Sequence, residues 1–431
     1  MGSRGSLRPM AGLLAAMAVS LTGTRVSALA LPWLVLTTTG SAARTGLVAF
    51  AEMAPYVLVK ALAGPVVDRA GPRRISWAGD VLSAVAAGAV VLLHLLDALP
   101  LGVLVALVAV VGAARGPGDL AKEVMVPEAA ERGRVPLERA TGLTGGTERL
   151  AQTAGPVAAG AVVALLGPPV GLGISVACFA LGSVIVAWAL PRGMGRRAPA
   201  RGSEEGYWRR FGQGFAFLRG EPLLLSVVVV VGVTNLLDAA FGQVLVFVWA
   251  RESGHGPAVV GLNSSVMGFT AVGGSLVAAA VAHRMRRRPV LFAAFLIAGP
   301  PRFLILAVDA PVWAVAAVFA LGGFAGGFLN PILGAVSYGR VPRSLLGRVN
   351  ALSDSLSWAG IPLGGLAGGV AVAAAGLAPV LLTGGAVYAL VTILTGLRPE
   401  WRTMDRLRAQ SPPAERRAGR HPTDVGDAAP T

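Results

Sequence analysis

Residues 64–74 read GPVVDRAGPRR, and they follow a run as apolar as MAPYVLVKALA, residues 53–63. In a water-soluble enzyme this would be an ordinary surface turn, with Asp68 and Arg69 solvated and Gly71 and Pro72 reversing the chain. What it means here depends on the solvent around the rest of the chain.

That solvent is lipid. Of 431 residues, 54% are hydrophobic and only 14% charged, with a mean hydropathy of +0.68; a soluble domain carries roughly 25% charged residues. A soluble core cannot absorb so much apolar side chain without exposing it. A spanning helix needs about 20 predominantly apolar residues, because its backbone must satisfy its own hydrogen bonds in hydrocarbon. Twelve such runs are predicted, near 11–37, 45–63, 75–96, 101–122, 141–165, 170–190, 222–250, 258–282, 289–308, 312–337, 349–375 and 379–397. The short alternating segments of a membrane barrel are absent from the sequence, so the expected fold class is an all-α membrane protein.

A net charge of +15 would by itself suit nucleic acid, but the placement of the basic residues argues for topology. Arg25, Lys60, Arg115, Arg149 and Arg302 fall inside predicted spans, Arg44 and Arg251 in loops on one side, and nearly all the others in loops and tails on the opposite side. The positive-inside rule makes that opposite side cytoplasmic, with both termini on it. The first apolar run exceeds the 7–15 residues of a signal-peptide core and reads as a retained helix. Cys178 stands alone and reads as a small apolar residue. The four histidines, His94, His255, His283 and His421, show no metal spacing, so neither metal nor cofactor is expected. Two lysines against 35 arginines, with abundant alanine and glycine, point to a GC-rich bacterial genome and its cell membrane.

The chain repeats itself at an offset of 209 residues. AQTAGPVAAG (151–160) pairs with GIPLGGLAGG (360–369), so that Ala151, Gly155, Pro156, Ala159 and Gly160 align with Gly360, Gly364, Gly365, Gly368 and Gly369. Upstream, Arg134 and Arg139 align with Arg343 and Arg348, Leu143 with Leu352, and Gly118 with Gly327. Two six-helix bundles of the same orientation follow, related by an axis along the membrane normal. The expected organisation is a first bundle over 1–190, a cytoplasmic central loop over 191–221, a second bundle over 222–397 and a disordered cytoplasmic tail over 398–431. Within the loop, YWRRFGQGFAFL (207–218) reads either as an amphipathic helix on the anionic inner leaflet or as a plain connector.

In this setting the opening stretch is the cytoplasmic turn between spans 2 and 3, and Gly64, Asp68, Arg69, Gly71, Arg73 and Arg74 resemble the signature of the major facilitator superfamily. Pro72 departs from it, standing where the family often has a basic residue. The resemblance implies a transporter working by alternating access, in which Asp68 meets the start of helix 11 near Arg348, while Arg69 and Arg73 pair with Asp119 and Glu123 as a latch on the inner gate. The matching turn HRMRRRP (283–289) keeps the arginines and lacks the aspartate. Ala151, Gly155, Pro156, Ala159 and Gly160 resemble the family's exporter-associated Gly-Pro motif, although packing of small residues alone also explains them. Arg115 resembles the family's helix 4 arginine.

An ionisable residue at mid-membrane costs at least roughly 2.5–3.5 kcal/mol on insertion scales, which makes each one a functional candidate. The spans hold Arg25, Glu52, Arg115, Glu148, Arg149, Asp238 and Arg302, with Lys60, Asp80 and Asp354 read as near enough to the inner face to reach water. Glu52 and Asp238 are the candidates for protonation change during transport. Arg25 is read as a cavity residue or one half of a buried pair. Arg302, after the helix break AGPP, either aims inward or holds a carbonyl, and Arg115 is expected to pair with Glu148. Asn235, Gln243 and Asn330 add polar anchors to apolar walls, which suits an amphipathic organic substrate.

The function expected is secondary, proton-coupled efflux of such molecules by a monomer in the bilayer. The alternatives are an importer of a small metabolite or a non-transporting receptor. No phosphate-binding loop or hydrolase motif occurs in the sequence, so no enzyme is expected.

Overall fold

The computed structural model describes residues 6–195, 207–281, 284–308, 310–342 and 345–402. The basic stretch 196–206, His283, Arg343 and the tail beyond 402 lie outside them, as does the side chain of Arg348. Among the described residues, twelve helices are long and apolar enough to cross a membrane: α1 (Arg8–Thr39), α2 (Ala42–Leu62), α3 (Pro72–Leu95), α4 (Leu101–Gly133), α5 (Leu137–Leu166) and α6 (Pro168–Ala189) in the first half. The second half holds α7 (Pro222–Glu252), α8 (Gly256–Val281), α9 (Arg287–Ala307), α10 (Val312–Ser337), α11 (Leu352–Ala375) and α12 (Leu377–Leu397). No strand occurs among the described residues. Twelve crossings put the start of α1 and the end of α12 on one face, the terminal face.

Most of the predicted spans agree closely with these helices. The clearest difference is α4, which runs through Pro117 and Pro127 to Gly133, 11 residues past its predicted end at 122, because its amphipathic last turns still bury Met125, Val126, Ala129 and Ala130 against α1 and α6. The AGPP break divides α9 at Gly299 into Arg287–Ala298 and Pro300–Ala307. The Gly-rich α10 is interrupted at Gly327 and Phe328, and α7 loosens into a π-helical turn at Phe241–Leu245. The stretch 207–220 is a helix that packs on the segment Leu346–Trp358 leading into α11.

The repeat is built into the backbone. Gly167 joins α5 to α6 at φ 85° and Gly376 joins α11 to α12 at φ 81°, a conformation that favours glycine, and their N–H groups bond the carbonyls of Val163 and Val372. All of these positions differ by the same 209 residues. The small-residue stripes repeat their contacts in the same way. Gly155 packs on α1 through the side chain of Arg25, while Gly160 meets Pro257 and Gly261 of α8. Gly364 packs on Leu236 and Ala239 of α7, while Gly369 meets Ala42 and Gly46 of α2. Each stripe therefore binds its own bundle with one edge and the opposite bundle with the other. Small residues serve this because close backbone approach supplies the van der Waals contact that drives helix association in lipid.

A second pair of crossings corrects the alignment of Gly118 with Gly327. A β-carbon on Gly116 would meet the Tyr56 carbonyl and Lys60 nitrogen of α2, and one on Gly327 would meet the Ala271 carbonyl and Ser275 nitrogen of α8. Gly116 is thus the counterpart of Gly327, whereas Gly118 lies against Gly79 of α3.

The bundles touch along α2–α11 and α5–α8, in the half away from the terminal face, where the Val157 N–H also donates to Ser265 Oγ at 2.9 Å. Toward the terminal face the same four helices separate. None of residues 141–150 of α5 is buried, and Leu58, Leu62, Leu276 and Leu356 are exposed. The central cleft opens on the terminal face.

Candidate functional site

The close α2–α4 crossing organises the first half's polar residues. Gly112 presses on the Glu52 carbonyl and Gly116 on that of Tyr56, so Arg115 between them has a short reach to α2. Its Nη1 donates to Glu52 Oε1 at 3.1 Å, with side-chain exposures of 8% and 9%, and its guanidinium lies 5.3 Å from the Tyr56 ring centroid. One turn on, the Tyr56 hydroxyl donates to Asp119 at 3.4 Å, and one turn further Lys60 Nζ donates to Glu123 at 3.1 Å. Every link joins residues 63 positions apart, because the two helices run parallel and each step is four residues, about 6 Å of rise. The result is a three-rung ladder, buried at Glu52 and opening to solvent at Glu123, which is 55% exposed.

This arrangement revises the expected pair: Arg115 binds Glu52, and Glu148 is exposed and accepts from Gln152 at 3.1 Å. Four residues apart on one helix, Glu148 and Gln152 satisfy each other. Arg149 is also exposed. Arg25, from α1, faces the ladder with Arg115, Glu148, Tyr56 and Asp119 as its ionisable neighbours, and its buried Nε has no hydrogen-bond partner. Glu52 turns the other way, into the first bundle beside Ser27, Leu31, Val90 and Val108. Arg115 therefore stands between an interior carboxylate and a cluster on the wall of the cleft.

The second half has a comparable pair on α7 and α9. Arg302 donates to Asp238 across α7 and α9, and its guanidinium lies 5.0 Å and 5.7 Å from the Phe241 and Phe303 ring centroids. Its partner is thus a carboxylate and not the backbone carbonyl that was the alternative. Asp238 lies three residues before the π-helical turn, and Gly299 at the α9 break packs on the Tyr388 ring. Asn235 donates to the Ser357 carbonyl at 2.9 Å and so ties α7 to α11. Gln243 lies in the π turn with its Oε1 buried and unpartnered, facing Gly365 and Ala49 where the halves meet. Asn330 is exposed on α10.

The opening stretch forms a short helix, Gly64–Ala70, ended by Gly71 at φ 92°. Asp68, Arg69 and Arg74 are exposed. The anticipated pairing of Arg69 and Arg73 with Asp119 and Glu123 is absent in this conformation, since the ladder already occupies both carboxylates. Arg73 instead donates to the Leu190 and Ala187 carbonyls at 2.8 and 2.6 Å, covering the unsatisfied C-terminal end of α6, where a cation also favours the helix dipole. Arg288 does the same for α12, donating to the Gly396 carbonyl at 2.7 Å. Both turns retain an arginine because both end helices need their last carbonyls covered.

One buried cluster escaped the sequence reading. Lys122, 2% exposed, donates to Asp80 Oδ1 at 2.8 Å and to Ser20 Oγ at 3.0 Å, joining α4, α3 and α1. Asp80, expected to reach water, is 4% exposed. The predicted end of α4 at residue 122 places Lys122 at the membrane edge. A signal was available: both of the chain's lysines flank this region, within or beside apolar runs where lysine is costly. Asn263 of α8 was also passed over; it is fully buried, and neither amide atom has a hydrogen-bond partner.

Residues 9–417 match the sequence model of the transmembrane secretion effector family, MFS_3. The chain is 30% identical over 388 residues to the multidrug efflux pump Tap of Mycolicibacterium fortuitum, spanning 89% of this chain and 94% of that protein. It is 30% identical over 392 residues to the Tap pump of Mycobacterium tuberculosis, spanning 89% and 91%. Its fold resembles the nucleoside transporter NupG, with a TM-score of 0.70, 14% identity and coverage of 93% and 99%. It also resembles a bacterial homologue of the human lysosomal transporter Spinster, with a TM-score of 0.64, 14% identity and coverage of 94% and 97%. A match over most of the chain, on twelve helices in two repeated bundles around a one-sided cleft, establishes that this protein belongs to the transmembrane secretion effector family of major facilitator transporters.

Proposed function

We propose that the chain exports amphipathic organic molecules from the cytoplasm in exchange for protons. The observation that carries this reading is the cleft wall formed by Arg25, Tyr56, Arg115, Asp119 and Glu148, backed by the buried carboxylate of Glu52. The arginine distribution assigns the terminal face to the cytoplasm, so the cleft is open to substrate from inside. Efflux as the direction, and mixed organic compounds as the cargo, are supported by the Tap pumps, which match along nearly the whole chain.

Arg115 supplies the coupling. While Glu52 is ionised it holds the guanidinium; a proton on Glu52 cancels that attraction and leaves Arg115 to the cleft, where its charge and that of Arg25 alter the binding of the organic molecule. Asp238 and Arg302 provide the equivalent pair in the second bundle. Rocking of the bundles about the α2–α11 and α5–α8 seams then exposes the cleft to the other side.

The test is a susceptibility panel in a bacterial strain lacking its own pumps, with wild type, Glu52→Gln and Asp238→Asn expressed to equal levels. Wild type is expected to raise resistance to several amphipathic compounds and both variants to lose most of it. A wild-type protein that protects against none of them overturns efflux, and variants that protect as well as wild type overturn the coupling role. Counterflow in inverted vesicles checks the direction.

A further inference from the structure

We infer that the groove between α9 and α12 at the terminal face is a binding site for one anionic phospholipid, a role independent of transport direction. The groove has a volume of about 440 Å³ and is lined by Arg286, Arg288, Phe292, Leu296 and Ile393. No carboxylate lines it.

Its chemistry is graded by depth. Arg286 caps the start of α9 and Arg288 sits in its first turn, while Phe292 and Leu296 follow one and two turns deeper, roughly 6 and 12 Å along the axis at 1.5 Å per residue. That is the order of a lipid's phosphate and upper acyl chain. Arg286 is exposed, and Arg288 spends one N–H on the Gly396 carbonyl, leaving the rest of its five-donor fork for an anion. The walls are firm: Gly396 lets α12 approach the Phe292 ring, and Phe292 packs on the fully buried Trp401 with ring centroids 4.9 Å apart. Ile393, Ile297 and Leu397 beside the groove are exposed outward, as residues that face hydrocarbon are. A basic, apolar-walled crevice between helices at the cytoplasmic interface matches the recognition mode of anionic headgroups.

A recess at the terminal face of the first half, between the ends of α1, α4 and α6, differs. The pocket beside Arg8, Arg132 and Trp188 also contains Glu131, so its charges are mixed. The proposal is confined to the second bundle for that reason.

The experiment uses full-length protein purified in detergent, with bound lipid counted by native mass spectrometry and the melting midpoint followed on adding phosphatidylglycerol, phosphatidylcholine or inorganic phosphate. The variants are Arg286→Gln, which leaves the Arg288–Gly396 tie intact, and Ile393→Trp, which keeps both charges and fills the groove. Wild type is expected to retain phosphatidylglycerol over phosphatidylcholine and to melt higher with it, while phosphate does nothing. Arg286→Gln should weaken the preference roughly fivefold, as loss of one basic residue at a membrane surface implies, and Ile393→Trp should abolish it. Equal phosphatidylglycerol retention by wild type and both variants overturns the site. So does a phosphate effect equal to that of the lipid, or a mass showing a second copy of the chain in place of lipid.

Discussion

The crossing of α2 with α4 and that of α8 with α10 are one design with two outcomes. In both, two glycines a turn apart lie against the partner's backbone: Gly112 and Gly116 on Glu52 and Tyr56, Gly323 and Gly327 on Met267 and Ala271. The first crossing fills the positions around these glycines with Glu52–Arg115, Tyr56–Asp119 and Lys60–Glu123. The second carries Met267, Ala271 and Ser275 on α8, and Gly326 of α10 turns toward Ala298 of α9. Close backbone approach is thus common to both halves, and ionisable chemistry was added to one. The second half's Asp238–Arg302 pair lies instead on α7 and α9, with Arg302 buried and the Asp238 side chain 39% exposed.

The hardest test of the shared design is to place a side chain in it. Gly112→Leu and Gly323→Leu are each expected to abolish recovery of monodisperse protein by size-exclusion chromatography, since overpacking a helix crossing exceeds the roughly 1–3 kcal/mol of ordinary core insertions when backbone itself is struck. Recovery of either variant at wild-type yield would break the comparison.

Arg115→Met alone should cost about 3–5 kcal/mol by stranding the Glu52 carboxylate, read as a large drop in melting midpoint. The double variant Glu52→Met, Arg115→Met should regain most of that stability and still fail to transport. A double variant that transports would make the first rung a brace and nothing more. The Lys122 cluster supplies the contrast, since it faces α3 and α1 and not the cleft. Asp80→Leu with Lys122→Met should recover both stability and transport, because well-packed apolar residues often replace a buried ion pair at no loss. The smallest effect is expected at the solvent end: Lys60→Gln should change stability by less than about 1 kcal/mol, and a larger change would show that the ladder acts as one unit.

How far these sites were legible in the sequence varies with their physical basis. The AGPP break, the offset repeat and the candidacy of Glu52, Asp238 and Arg302 could be read from residue type at a membrane position. The partners could not. Arg115 was matched to Glu148 because both are mid-span, while the structure pairs it with Glu52, since Gly112 and Gly116 bring α2 and not α5 within reach. Arg73 was assigned to carboxylates and instead covers the end of α6.

The sequence by itself determined the number of crossings, their two-fold repetition and which spans carry charges, because hydrocarbon sets the length of a helix and penalises polar groups whatever lies beside them. Only the tertiary structure decided which charges meet, which way Arg25 and Glu52 turn and on which face the cleft is open. Those depend on the rotation and separation of helices far apart in the chain, and no local pattern records them.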